Sequence, residues 1–222
     1  GASGLTGATN LINSSGVAAT DTSAVGTARE NISATNYGGD KAIFAFGNAS
    51  GVTGISNLVS NQGVVASDVS AVGTASQNKA AASYGGDKGI FGYGATGDGT
   101  GINATNLVSN SGVIGSDVSG VGTARNALAA ATYGLSMTNL VNNQGVVAAD
   151  VTGVGMARWG LAAAAYGGDK AIFGFGYREG QGGSAYKSVT NLVNNQGVVA
   201  SDVTGVGSGR RWVAAANYSY SA

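Results

Sequence analysis

Four arginines, two tryptophans and two tyrosines carry most of the recognition chemistry this chain can offer. Arg29, Arg125, Arg158 and Arg210 recur at one place in a repeated pattern. Guanidinium groups at equivalent positions can grip an anionic sugar or a phosphate through paired N–H donors. The same groups can instead satisfy loop carbonyls or pair with an Asp of a neighbouring module. Trp159, Trp212, Tyr177 and Tyr186 are not shared by all copies of the pattern, which points to a local use such as stacking on a sugar ring. Isolated surface aromatics are also ordinary. These eight residues are the candidate ligand or partner contacts.

Catalytic chemistry is poorly supplied. The chain has no His and no Cys, so Ser-His-Asp and Cys-His arrangements and the common zinc sites cannot be built from it. A glycosidase needs two carboxylates across one sugar bond, and nothing in the sequence pairs Glu30 with Glu179, glutamates that lie outside the repeat. Asp40, Asp87 and Asp169 sit in Gly-Gly-Asp-Lys segments. They read as turn residues, since one Asp per loop falls short of the six to eight oxygens a calcium ion takes. The expectation is a non-enzyme with no cofactor and no metal.

Lys plus Arg and Asp plus Glu both number 11. With no basic block to release counterions, nucleic acid is not an expected partner. No apolar run approaches the roughly 18 residues of a membrane span. The opening Gly1-Ala2-Ser3-Gly4 has neither an initiator Met nor a signal peptide, as expected of a processed or partial chain.

The elements that position these residues follow from self-similarity. A segment Asn-Leu-x-x-x-x-Gly-Val begins at Asn10, Asn57, Asn106, Asn139 and Asn191. Each is followed by an Asp (Asp21, Asp68, Asp117, Asp150, Asp202) and then by the arginine position, which is Ser76 in the second copy. A Tyr lies eight residues further on, at Tyr37, Tyr84, Tyr133, Tyr166 and Tyr218. Three copies continue with Gly-Gly-Asp-Lys and an Ile-Phe-x-aromatic stretch; the third copy lacks it and the fifth ends first. The five repeats run about 10–56, 57–105, 106–138, 139–190 and 191–222 within a single domain, 1–222.

A full repeat reads as four short strands. An Ala-rich strand such as Leu161 to Tyr166 turns through Gly-Gly-Asp into a second, Lys170 to Phe175. Strands three and four, near Thr138 to Val141 and Val146 to Val151, flank an Asn-Gln-Gly turn whose residues accept φ > 0. Frequent glycines disfavour helices, although a helical turn can compete in the Ala-rich stretches.

Small side chains suit the crowded inner strands of a propeller, so Ala129 to Ala131, Ala162 to Ala165 and Ala214 to Ala216 are placed near the axis. Phe44, Phe91 and Phe173 are the expected core between neighbouring sheets. The chain opens with strands three and four and closes with strand one, so pairing of the two ends completes a fifth blade. A β-solenoid is the rival arrangement.

The run from Arg158 through Trp159, Ala162 to Tyr166, Gly167-Gly168-Asp169 and Ile172-Phe173 to Gly176 resembles the core of a kelch motif, as do Arg29 to Gly47 and Ala80 to Gly94. It departs from kelch in lacking the double Gly after strand two and the late Trp. The resemblance implies an all-β, five-bladed kelch-like β-propeller closed by its N- and C-terminal segments. The fuller pattern, Thr-Asn-Leu-Val-x-Asn-x-Gly-Val with Tyr-Gly-Gly-Asp-Lys-Ala-Ile-Phe-Gly-Phe-Gly, is similar to repeats of bacteriophage virion proteins. That likeness implies a decoration or fibre-associated role, at a virion or extracellular location, with other assembly proteins or further copies of the chain as partners. A lectin-like module that binds glycans is the alternative. Two local expectations complete the reading. The link Tyr177 to Lys187 is the longest and most polar, a candidate contact surface. The strand missing from the third copy is a place for strand addition by another chain.

Overall fold

The computed structural model describes residues 4–13, 15–130, 141–178 and 185–215. The described residues are all-β, with three antiparallel sheets of three strands each. Sheet one holds β1 (Ser33–Tyr37), β2 (Lys41–Ala45) and β3 (Ser56–Val59). Sheet two holds β4 (Ala80–Tyr84), β5 (Lys88–Gly92) and β6 (Thr105–Val108). Sheet three holds β7 (Ala162–Tyr166), β8 (Lys170–Gly174) and β9 (Thr190–Val193). Each middle strand pairs with both of its neighbours, and the register is the same in all three sheets: Tyr37 faces Lys41, Tyr84 faces Lys88 and Tyr166 faces Lys170. The Ala-rich stretches are strands. Each sheet joins the tail of one sequence copy to the head of the next, so the sequence repeat and the sheet are offset by half a unit.

The fourth strand is not continuous. Val59 bridges Val65 and Ser56 bridges Val69, and the same pair of bridges recurs at Val108–Ile114 with Thr105–Val118 and at Val193–Val199 with Thr190–Val203. Three steps along one strand meet four along the other, which is a bulge. The repeated Asn fills it: Asn57 Nδ2 donates to Ala66 O at 3.1 Å and to Asp68 Oδ1 at 2.8 Å. Asn106 and Asn191 make the same pair of bonds. The Asn-Leu and Asp signatures, 11 residues apart, therefore recur because one amide holds the bulge shut. The turn before it is closed by a side-chain oxygen. Ser60 Oγ, Asn142 Oδ1 and Asn194 Oδ1 each accept from the backbone two and four residues on.

The core lies between sheets one and two, around Tyr37, Ile43, Phe46, Phe91, Val108 and Ile114. The expected aromatic core divides. Phe91 is fully buried, whereas Phe44 and Phe173 are half-buried. Phe91 packs edge-on against Phe46 of the preceding copy, ring centroids 5.4 Å apart. The copy preceding Phe173 has no Ile-Phe-x-aromatic segment to offer such a ring, and Phe44 lies in the first copy. Phe46 is fully buried as well, just beyond β2 in the left-handed conformation (φ 62°).

Among the described residues, Ala129, Ala130 and the alanines of β4 and β7 are buried or half-buried, whereas Ala34 in β1 and, against the expectation of an inner strand, Ala214 and Ala215 are exposed. The opening segment of the first copy, before β1, is largely exposed, Ile12 at 71%. No backbone hydrogen bond among the described residues joins 4–30 to 185–215. The sheet edge expected at the third copy's missing strand two, and most of the strand expected near Thr138 to Val141, lie at residues outside the described ones, as do Ala131, Ala216 and most of the 177–187 link.

Candidate functional site

The arginine positions come first, because they show where chemistry is absorbed by the fold. Arg29 Nε donates to Phe46 O at 2.8 Å, one terminal nitrogen to Thr27 O at 3.0 Å and the other to Asn57 Oδ1 at 2.7 Å. Arg158 repeats this with Phe175 O, Met156 O and Asn191 Oδ1. Both side chains are almost wholly buried, with Asp68 and Asp202 at 3.8 and 3.6 Å. Burial lowers both guanidinium pKa values and the paired carboxylate counters it. Arg125 is more open; it bonds Thr123 O and Asp150 Oδ1, both at 3.1 Å, and lies 4.2 Å over the Tyr93 ring. Arg210 lies 4.5 Å over Phe175.

The Asp of one copy also clasps the copy before it. Asp68 accepts from the Thr27 backbone N–H at 3.0 Å and from its hydroxyl at 2.7 Å. Asp117 does the same with Thr74 and Asp150 with Thr123. Thr27 above all, and then Asn57 and Arg29, hold the Asp68 carboxyl below its ordinary range against partial desolvation. Gly26 is required beside this clasp, since its φ is +74° and any Cβ there would collide with Asp68 Oδ1. Asp40 and Asp87 bind the adjoining lysine and the Asn61 or Asn110 side chain of the next turn.

The four expected aromatics form one cluster. Trp159 and Tyr177 exchange backbone hydrogen bonds of 3.0 and 2.8 Å, and Tyr177 bridges Tyr186, so three aromatic residues share one rung. Their rings touch, Trp159–Tyr177 at 5.1 Å and Tyr177–Tyr186 at 5.3 Å between centroids. Trp212 joins from the next copy at 5.6 Å from Trp159, its N–H bonded to Gly160 O at 2.8 Å. The same rung holds Glu30, Asn48 and Val52 in the first copy and Gln77, Ala95 and Gly101 in the second. The scaffold therefore does not require aromatics there.

Trp212 is 59% exposed and Tyr186 44% exposed, so the cluster is open to solvent. Trp212 has φ 56°, where the first and second copies place Asn31 and Asn78. Asn tolerates that region more readily than a bulky residue, although Phe46, Tyr93 and Phe175 also adopt it. Arg211 sits among the rings, its guanidinium carbon 4.7 Å from Trp159, 4.8 Å from Tyr177 and 5.6 Å from Tyr186. Sequence reasoning passed over Arg211. The available signal was the triplet Arg210-Arg211-Trp212, which replaces Arg29-Glu30-Asn31 of the first copy.

No protein-family model matches the chain, and no curated protein matches its sequence.

Proposed function

We propose that this chain is a non-catalytic structural and binding protein: a five-bladed kelch-like β-propeller, closed by its terminal segments, that serves as a decoration or fibre-associated component of a larger assembly such as a virion. One observation carries the structural half of this reading. The polar residues that recur with the repeat (Arg, Asn, Asp and Thr) are taken up in joints between successive copies, as at Arg29, Asn57, Asp68 and Thr27. Joints that repeat in kind suit a chain whose work is to hold a shape.

Closure is tested in this cysteine-free chain by a single cysteine pair at Ala8 and Ala214. A short bifunctional maleimide joins the two within one molecule at low protein concentration if the ends meet. Cross-links formed only between molecules sink the ring. Electron microscopy of particles carrying a tagged copy tests the assembly role, with regular positions on the particle surface as the expected result.

The aromatic cluster at Trp159, Tyr177, Tyr186 and Trp212 favours a second reading, a lectin-like module acting in attachment. Exposed indole and phenol faces stack on the C–H faces of sugar rings, and the cluster departs from the scaffold's own pattern at that rung. A glycan array read with the whole chain tests it.

A further inference from the structure

We infer that the aromatic junction between the fourth and fifth copies binds a carboxylate-bearing saccharide, with Trp212 and Tyr186 stacking on the sugar and Arg211 gripping its carboxylate. The assignment rests on the glycan-binding reading above and names its ligand class.

Most of the chain's cations are already engaged within the fold. Arg29, Lys41, Lys88, Arg125, Arg158 and Lys170 each have an Asp within salt-bridge distance. Lys79 is buried beneath Phe46. Among the described residues, Arg178, Arg210 and Arg211 have no carboxylate partner, and all three belong to the strands and rungs of this one junction. Arg210 is laid over Phe175. Arg211 makes no hydrogen bond among the described residues, yet three aromatic rings surround it.

That surround matters chemically. Ring faces attract the guanidinium plane and hold it in place, but they take none of its five N–H donors. The fork stays available for two parallel bonds to a carboxylate, the geometry Arg matches best. A stacking platform beside a pre-set fork describes a flat, partly apolar ring carrying an acid group, as in a uronic or sialic acid. A single-stranded nucleic acid offers flat rings and anions too. Its binding needs a groove of several cations following the backbone, and the chain's formal net charge is zero.

The test uses the full chain against paired oligosaccharides that differ only in having a carboxylate or its neutral counterpart, first on an array and then by calorimetry up to millimolar ligand. An oligothymidylate is run alongside. The expected result is at least tenfold tighter binding of the acidic member, with Arg211→Gln removing that preference and Trp212→Ala lowering affinity for both members. Thermal melting checks each variant's fold. Should Arg211→Gln fail to fold, Arg211→Lys keeps the charge without the fork, and a loss of acidic preference of about fivefold or more is then expected. Equal binding of both members, lost in Trp212→Ala and untouched by Arg211→Gln, overturns the acidic assignment and leaves the glycan reading standing. Binding of no saccharide overturns both. Preference for the oligothymidylate at this junction overturns the assignment in favour of a nucleic-acid ligand.

Discussion

Two joints between copies solve the same packing problem in different ways. Where the first copy meets the second, Arg29 reaches Phe46 O, Thr27 O and Asn57 Oδ1, and each polar group has a partner. Where the second meets the third, the arginine position is Ser76, whose hydroxyl turns back on Thr74 O at 3.0 Å. Asn106 Oδ1, buried like Asn57, then has no hydrogen-bond partner among the described residues, and neither does Lys79 Nζ. Lys79 stands where the other copies have Ile32, Leu128, Leu161 and Val213. It puts its ammonium 4.6 Å from the Phe46 ring, as Arg125 and Arg210 cover Tyr93 and Phe175. The cation over the ring has been kept and moved three residues along the chain, while the fork that fed the Asn carbonyl has been lost. One lysine replaces half of what one arginine does, and the joint carries a poorly solvated charge.

The largest expected effect comes from breaking the complete joint. Arg158→Met strands Phe175 O, Met156 O and Asn191 Oδ1 in a buried setting, and a loss of about 3–5 kcal/mol in urea unfolding is expected. A loss below about 1 kcal/mol would mean that the joint is not what holds the copies together.

The substituted joint responds in the opposite direction. Lys79→Leu removes a buried, unpaired ammonium and restores the residue type of the third and fourth copies. A gain of about 1–3 kcal/mol at pH 7 is expected. The pH profile gives an independent check. Burial pushes the Lys79 pKa down to about 8, partly offset by Asp117, against an ordinary 10.5. Between those values the unfolded chain binds the extra proton, so stability rises with pH across that window; below about pH 8 both states are protonated and the cost is present in full. Melting at pH 7.5, 9 and 10.5 should show the rise in the native chain and lose it in Lys79→Leu. A parallel rise in both proteins would assign the effect to another group.

Ser76→Arg sharpens the comparison. Alone it sets two cations at one ring and is expected to destabilise. Combined with Lys79→Leu it rebuilds the complete joint and stabilises, giving a non-additive coupling of about 1 kcal/mol or more in a double-mutant cycle. Additive behaviour would show that the two positions do not share a site.

The smallest effect is at the clasp. Thr27→Val removes the hydroxyl bond that Thr27 makes to Asp68 and leaves those of its backbone N–H, and should cost about 1 kcal/mol. Because the Asp68 pKa is lowered in the folded chain, its contribution is present above the ordinary carboxylate pKa and fades as pH falls through the folded value. Acid titration of the native chain should therefore show a steeper loss than that of Thr27→Val.

Much of this was legible before any coordinates. Gly-Gly-Asp between an Ala-rich run and an Ile-Phe run specifies a hairpin, and β7 and β8 fall within a residue or two of where the pattern puts them. Periodicity also singled out Trp159, Tyr177, Tyr186, Trp212 and Tyr220 as aromatics that break the repeat; the first four cluster, and Tyr220 lies outside the described residues. The bulge was not legible, because a Val-rich stretch reads as a continuous strand whether or not its partner is one residue shorter. Nor was the division of the phenylalanines, since a ring's burial depends on whether the neighbouring copy supplies another ring.

The amino-acid order by itself determined the unit: strand lengths, turns, and an Asn and an Asp set 11 residues apart, all of which follow from local backbone preference and short-range hydrogen bonding. Only the tertiary structure decided what each cation is for. Arg158 and Arg211 are alike as residues, but one lies sealed among carbonyls with its donors engaged and the other lies among ring faces, its donors without a partner among the described residues. Residues far apart in the chain make that difference, since burial and the supply of acceptors are set by what packs around a side chain and not by its immediate neighbours in sequence.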